Sequence, residues 1–205
     1  AQLLSRPAGQ WAANPTMPTY AAGHSRLSIQ SLNLAQAGDG NIRFQGQMML
    51  SARSGAQSVQ ALSLPLSGGW NSRRGQLQYG TQCGDYQARE IAGHGWSLDA
   101  PKIRLCPTKG AMLTAMGSTM LLSAKVAPMV LSGQYDQARW RIEAAGLDLS
   151  GEPLGTLRFA ATRPHVLLSQ GQNRYSAQGQ SLIGTAEAGV VSASVKNISG
   201  AGQMD

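Results

Sequence analysis

The sequence predicts an all-β protein, with many short antiparallel strands in a curved sheet that is either groove-like or closed into a sandwich. Three observations carry this expectation. Apolar residues recur at every second position in short runs, as where Trp140, Ile142 and Ala144 oppose Arg139, Arg141 and Glu143. These runs follow one another about every ten residues, the interval of a meandering antiparallel sheet. The joins between them are rich in Gly, Asp, Asn and Ser, which are turn formers. Charged residues are 13% of the 205 and aromatics 5%, yet branched apolar residues recur throughout, so the composition is not that of a disordered chain.

Residues 1–24 hold three prolines, Pro7, Pro15 and Pro18, and read as an irregular or edge segment anchored by Trp11. An antiparallel β domain is expected over 25–171. Its first strand changes apolar parity midway, from Leu27 and Ile29 to Leu32 and Leu34, which predicts a bulge near Gln30. After the turn at 37–41, Ile42, Phe44, Met48 and Leu50 face one side and Arg43, Gln45 and Gln47 the other. Leu62, Leu64 and Leu66 continue the pattern, with Pro65 implying an edge or bulge and Gly68-Gly69 an end. Leu77 and Tyr79 form a short strand. Between 111 and 127 the apolar content could be taken for a helix, but Gly117 with Ser118-Thr119 favours two short strands and a turn. Strands at 129–133, 139–144, 147–149 and 157–159 follow. Beyond Gly171 large apolar residues thin out, so 172–205 is expected to be lightly packed β structure or a mobile tail. Three strands end in Ser-Gly at Gly68, Gly133 and Gly151, which reads either as a degenerate repeat or as turn chemistry alone.

Cys83 and Cys106, the only cysteines, frame a strand-turn-strand pattern. Trp96, Leu98 and Ala100 point one way; after Pro101, Ile103 and Leu105 alternate with Lys102, Arg104 and Cys106. Cys106 thus stands away from the apolar row, where a bond to Cys83 explains it better than two free thiols would. Such a disulfide implies an oxidising compartment. There is no C-x-x-C for redox chemistry, and too few Cys and His lie nearby to hold zinc.

The net charge of +7 comes from basic residues scattered singly, with only Arg73 and Arg74 adjacent, which argues against a nucleic-acid partner. His24, His94 and His165 lie in separate segments beside Gly, Ser or Pro, so no metal is expected. No nucleophile elbow, phosphate loop or H-E-x-x-H occurs, and neither an enzyme nor a cofactor is expected. No apolar run is long enough to cross a membrane as a helix. The start at Ala1 without Met suggests a processed form or an excerpt.

The run from Trp96 to Pro107 (WSLDAPKIRLCP), preceded by Cys83 and followed by MVLSG at 129–133 and WRIEA at 140–144, resembles the middle of YdbH-like proteins of the AsmA and TamB superfamily. The resemblance covers roughly Arg26 to Gly171 and is one of texture plus the Leu-Cys-Pro piece. It implies a periplasmic segment of a larger inner-membrane-anchored envelope protein, whose β-sheet groove moves phospholipid between the two membranes. It brings no catalytic residues. Trp70, Trp96, Leu98, Ile103, Leu105, Trp140, Ile142, Leu157 and Phe159 are the candidates to line such a groove against acyl chains. The same residues would equally fill the core of a secreted binding or adhesin-like sandwich, because periodicity tells which face is apolar and not what covers it. A second copy of the chain could also cover an open face.

Overall fold

The computed structural model describes residues 3–6, 10–37 and 39–203; Ala1 and Pro7, and Gly38 of the turn at 37–41, lie outside them. No helix occurs among the described residues; 22 strands form one sheet. The first are β1 (Leu3–Arg6), β2 (Gln10–Ala13) and β3 (Met17–Ala22), then the long β4 (Ser25–Gln36), β5 (Ile42–Ser54) and β6 (Gln57–Asn71). Short strands follow: β7 (Gln76–Tyr79), β8 (Gly84–Gln87), β9 (Glu90–Gly93), β10 (Trp96–Asp99), β11 (Lys102–Pro107) and β12 (Leu113–Met116). The remainder are β13 (Thr119–Val126), β14 (Met129–Tyr135), β15 (Ala138–Ala144), β16 (Gly146–Gly151), β17 (Leu157–Thr162), β18 (His165–Gln170), β19 (Asn173–Gln178), β20 (Ser181–Glu187), β21 (Val190–Lys196) and β22 (Ser199–Gln203).

Most of these short strands are halves of longer ones folded at a crease. On one flank the ladder runs from β6 through β8 and β11 to β13, β16, β17, β20 and β21. On the other it runs from β6 through β9, β10, β14, β15, β18 and β19 to β22. The two halves of each long strand, such as β13 and β14 or β15 and β16, differ in flank and meet within one to three residues. Strands β7 and β12 extend only the first flank, which also holds the disulfide and is called the cystine flank here; the second is the open flank.

The crease follows from a local rule. Within a flat strand one face takes every second residue. Across the crease the step on the apolar face is three: Ile29 to Leu32, Val59 to Leu62, Ala88 to Ile91, Leu98 to Pro101, Val126 to Met129, Ala144 to Leu147 and Ala161 to Pro164. One extra residue keeps the same face apolar while the strand turns, as a bulge does. Ala61, Ala100, Arg163 and Asn197 supply it in the left-handed region, with φ of 50°, 40°, 49° and 51°. Backbone bonds still bridge the crease from strand to strand, as from Ala100 N to Arg89 O, Ala127 N to Arg104 O and Arg163 N to Gln180 O.

The expected bulge at Gln30 is this crease in β4, where the register shifts between Ile29 and Ser31. Residues 111–127 hold the two strands β12 and β13, joined at Gly117-Ser118. Three details differ from expectation. Ala100 does not share the face of Trp96 and Leu98: it is exposed at the crease, and Pro101 is buried there instead. Pro65 lies within central β6, between the segment bridged to β8 at Ser63 and the segment paired with β7 from Gly68. A proline has no N–H to donate, and the ladder on that side changes partner around it. Gly68 and Gly133 do not end strands, since β6 and β14 continue past them. Pairing also runs on across residues 24/25 and 171/172, through β3 with β4 and β18 with β19. The C-terminal strands are nonetheless thinly covered, every residue of 190–203 being exposed.

Candidate functional site

Register sorts the side chains onto two faces. On the cystine flank, Leu105, Val126, Leu147 and Ala161 stand in one cross-strand row, with Leu149, Phe159 and Gly184 in the next. On the open flank, Leu98, Gly133, Trp140, Leu168 and Tyr175 form one row, and Leu131, Ile142, Val166 and Ala177 the next. Every charged residue of these strands falls on the opposite face. There Arg104 meets Asp85 at 3.5 Å, Lys125 meets Asp148 at 3.6 Å and Arg141 meets Glu143 at 2.6 Å.

The apolar face is the concave one. Its crease residues Ala88, Val126, Ala144 and Ala161 are buried, while Arg89, Arg163 and Gln180 on the polar side are exposed. Small side chains at the crease let the two flanks fold towards each other. Away from it nothing among the described residues closes the trough. Among the described residues no large side chain is fully buried, and Trp70, Trp96, Val166, Leu168 and Tyr175 remain 39–40% exposed.

All nine residues expected to line a groove or core stand on this face. Trp70, Ile103, Leu105, Leu157 and Phe159 are on the cystine flank and Trp96, Leu98, Trp140 and Ile142 on the open flank, and none of the nine is buried. Sequence reasoning missed the glycines that seat the aromatic rings. Phe44 lies across Gly68, Trp140 across Gly133, Phe159 across Gly184, and a Cβ at each glycine would come within 3.0 Å of the ring. Tyr175 lies over Gly202 in the same way at 3.2 Å. A glycine in mid-strand marks close approach of another group, and the ring covers the backbone that glycine leaves bare. For Gly68 and Gly133 the signal was in the sequence as Ser-Gly within an apolar run, but the partner ring lies on another strand.

One polar feature interrupts the trough. The Tyr86 hydroxyl donates to the Tyr79 hydroxyl at 3.3 Å, and Tyr79 donates to the Pro65 carbonyl at 2.8 Å. Burial, then the bond to Tyr79, pushes the Tyr86 phenol well above its ordinary range. On the polar face, the Arg141 hydrogen bond, helped by His165, holds the Glu143 carboxyl below the usual carboxylate range.

Cys83 and Cys106 are bonded, as expected. They face each other across neighbouring segments, one step beyond the Gly84–Leu105 pair, with Cys106 opposite Lys125 on the polar face. A disulfide of this kind belongs to an oxidising, extracytoplasmic setting. His24 and His94 are exposed beside turns, and His165 lies 3.7 Å from Glu143. Among the described residues no group of three or more His, Cys, Asp or Glu could hold a metal. No protein-family model, no curated protein and no solved structure matches the chain.

Proposed function

We propose that this chain is a non-enzymatic periplasmic segment of a larger AsmA-like envelope protein, and that its trough shelters phospholipid acyl chains moving between the inner and outer membranes. The observation that carries the reading is a single creased sheet whose concave face is apolar but for the Tyr79 and Tyr86 hydroxyls and is left uncovered by the described residues. Such a face loses free energy to water in proportion to its area, about 25 cal/mol per Å². An acyl chain laid on it removes that cost without needing a specific polar contact. A monomeric protein rarely leaves so continuous an apolar surface bare unless something binds there. The polar convex face and the disulfide suit a periplasmic setting, and the rest of the envelope protein would supply the inner-membrane anchor.

A sandwich used as a secreted binding module needs a second layer over the same face. The single sheet with its exposed tryptophans favours the trough. Native mass spectrometry after gentle extraction, followed by lipid analysis, tests the choice. Phospholipid retained in defined stoichiometry is the expected result. A lipid-free dimer buried through the concave face would overturn it in favour of self-association.

A further inference from the structure

Resting on the acyl-chain reading above, we propose that Arg139 and Arg174 form a binding site for the phosphate of an anionic phospholipid headgroup at the lip of the open flank. Arg139 and Arg174 are directly opposite Ser169 from its two sides, so all three share the polar face. Two strand spacings separate the arginine backbones by about 10 Å, an interval across which two guanidinium groups can converge on one phosphate. Each arginine is the second residue of its strand, beside the turns 136–137 and 171–172 that make the lip. The side chains therefore reach the edge over which a lipid must turn if its tail lies on Trp140, Leu168 and Tyr175 behind them.

A depression of about 930 Å³ lies at this place, lined by Arg139, Arg141, Arg174, Ser132, Gln134 and Ser169 among others. The charges facing it are these three arginines and Asp99. Arg141 is already engaged by Glu143. Arg139 and Arg174 make no ion pair among the described residues, so their charge is available to an anion. Planar guanidinium donors suit phosphate oxygens, and a serine hydroxyl between them adds a donor.

The test is co-sedimentation of the intact chain with vesicles of phosphatidylcholine containing phosphatidylglycerol, compared with phosphatidylcholine alone. Arg139→Gln with Arg174→Gln should weaken the phosphatidylglycerol-dependent binding about thirtyfold. Arg158→Gln with Arg163→Gln removes the same charge from the cystine flank and crease, and should change it little. Equal weakening by both pairs would reduce the effect to net charge and overturn the site. Competition by inorganic phosphate alone would reassign it to a free anion and also overturn it. Native mass spectrometry of the Arg139/Arg174 variant separates the two readings. Retained acyl lipid with unchanged vesicle binding sinks the arginine site only, whereas lipid absent from wild type as well sinks the trough.

Discussion

On the cystine flank the apolar face is backed by fastenings: the Cys83–Cys106 bond across neighbouring strands, the Tyr86–Tyr79–Pro65 hydrogen bonds, and the extra strands β7 and β12. Ala124, Val126 and Met112 there are only 1%, 2% and 3% exposed. On the open flank the same stripe continues without covalent or hydroxyl ties. Its wall is held by backbone ladders and by rings laid over glycine, and Trp96, Leu168 and Tyr175 face solvent. The difference teaches that an apolar trough can be kept open in two ways. Rings over glycine smooth both walls, as Phe159 over Gly184 and Trp140 over Gly133, but the open wall relies on that smoothing, whereas the cystine wall is also stiffened by a disulfide behind it and a hydroxyl pair within it.

The largest expected effect tests the smooth wall. A Cβ at Gly133 would collide with the Ser97 carbonyl as well as with the Trp140 ring. Gly133→Ala should therefore cost about 3 kcal/mol in urea unfolding. Gly146→Ala, on the polar face with 3.6 Å to the nearest atom, should stay within about 0.5 kcal/mol. Equal costs for the two would remove the ring-over-glycine account.

Next is the stiff wall. Cys83→Ser opens a loop whose ends are 23 residues apart, and the chain-entropy model gives a loss of about 3 kcal/mol in oxidising buffer. In reductant the variant and wild type should unfold alike. Hydrogen exchange should quicken first in β8, β11 and β13, and uniform quickening in β14 and β15 would blur the contrast between flanks.

A smaller effect is expected at Tyr86→Phe, about 1 kcal/mol from one hydrogen bond. Its pH dependence is more telling. The fold raises the Tyr86 phenol above its free value of 10.0, so this stabilising contribution is full below pH 10.0 and is lost as the pH climbs towards the folded value. Wild type should lose stability in alkaline titration more steeply than Tyr86→Phe; identical profiles would show that burial of this phenol does not matter.

Leu168→Ser should cost least, under about 1 kcal/mol, because the side chain is already 39% exposed. Lipid retained per folded molecule should nevertheless fall. Unchanged retention would move the bound chain to the cystine flank.

Much of the fold was legible because a strand's period is local. The alternation around Trp140 and Ile142, the parity slip at Gln30, the Gly117 turn and the Cys83–Cys106 bond all depend on neighbours within a short stretch. The placement of nine apolar residues on one face followed from the same rule. The crease was half visible: the slip in Arg26–Leu34 is one instance of a three-residue step that recurs in strand after strand. Elsewhere Pro101, Ala145 or Pro164 at the step resembled an ordinary strand end.

What the sequence by itself determined about this protein is its strand alphabet, the apolar and polar faces, and the covalent staple, since each rests on torsion preferences, side-chain alternation and the identity of two cysteines. Only the tertiary structure decided that half-strands join across a common crease, that mid-strand Gly68 and Gly133 lie beneath rings from other strands, and that the described residues lay no second layer over the apolar face. Those outcomes depend on which strands become neighbours. Pairing between distant segments is set by the fit of whole faces and by loop closure, and no local period encodes it.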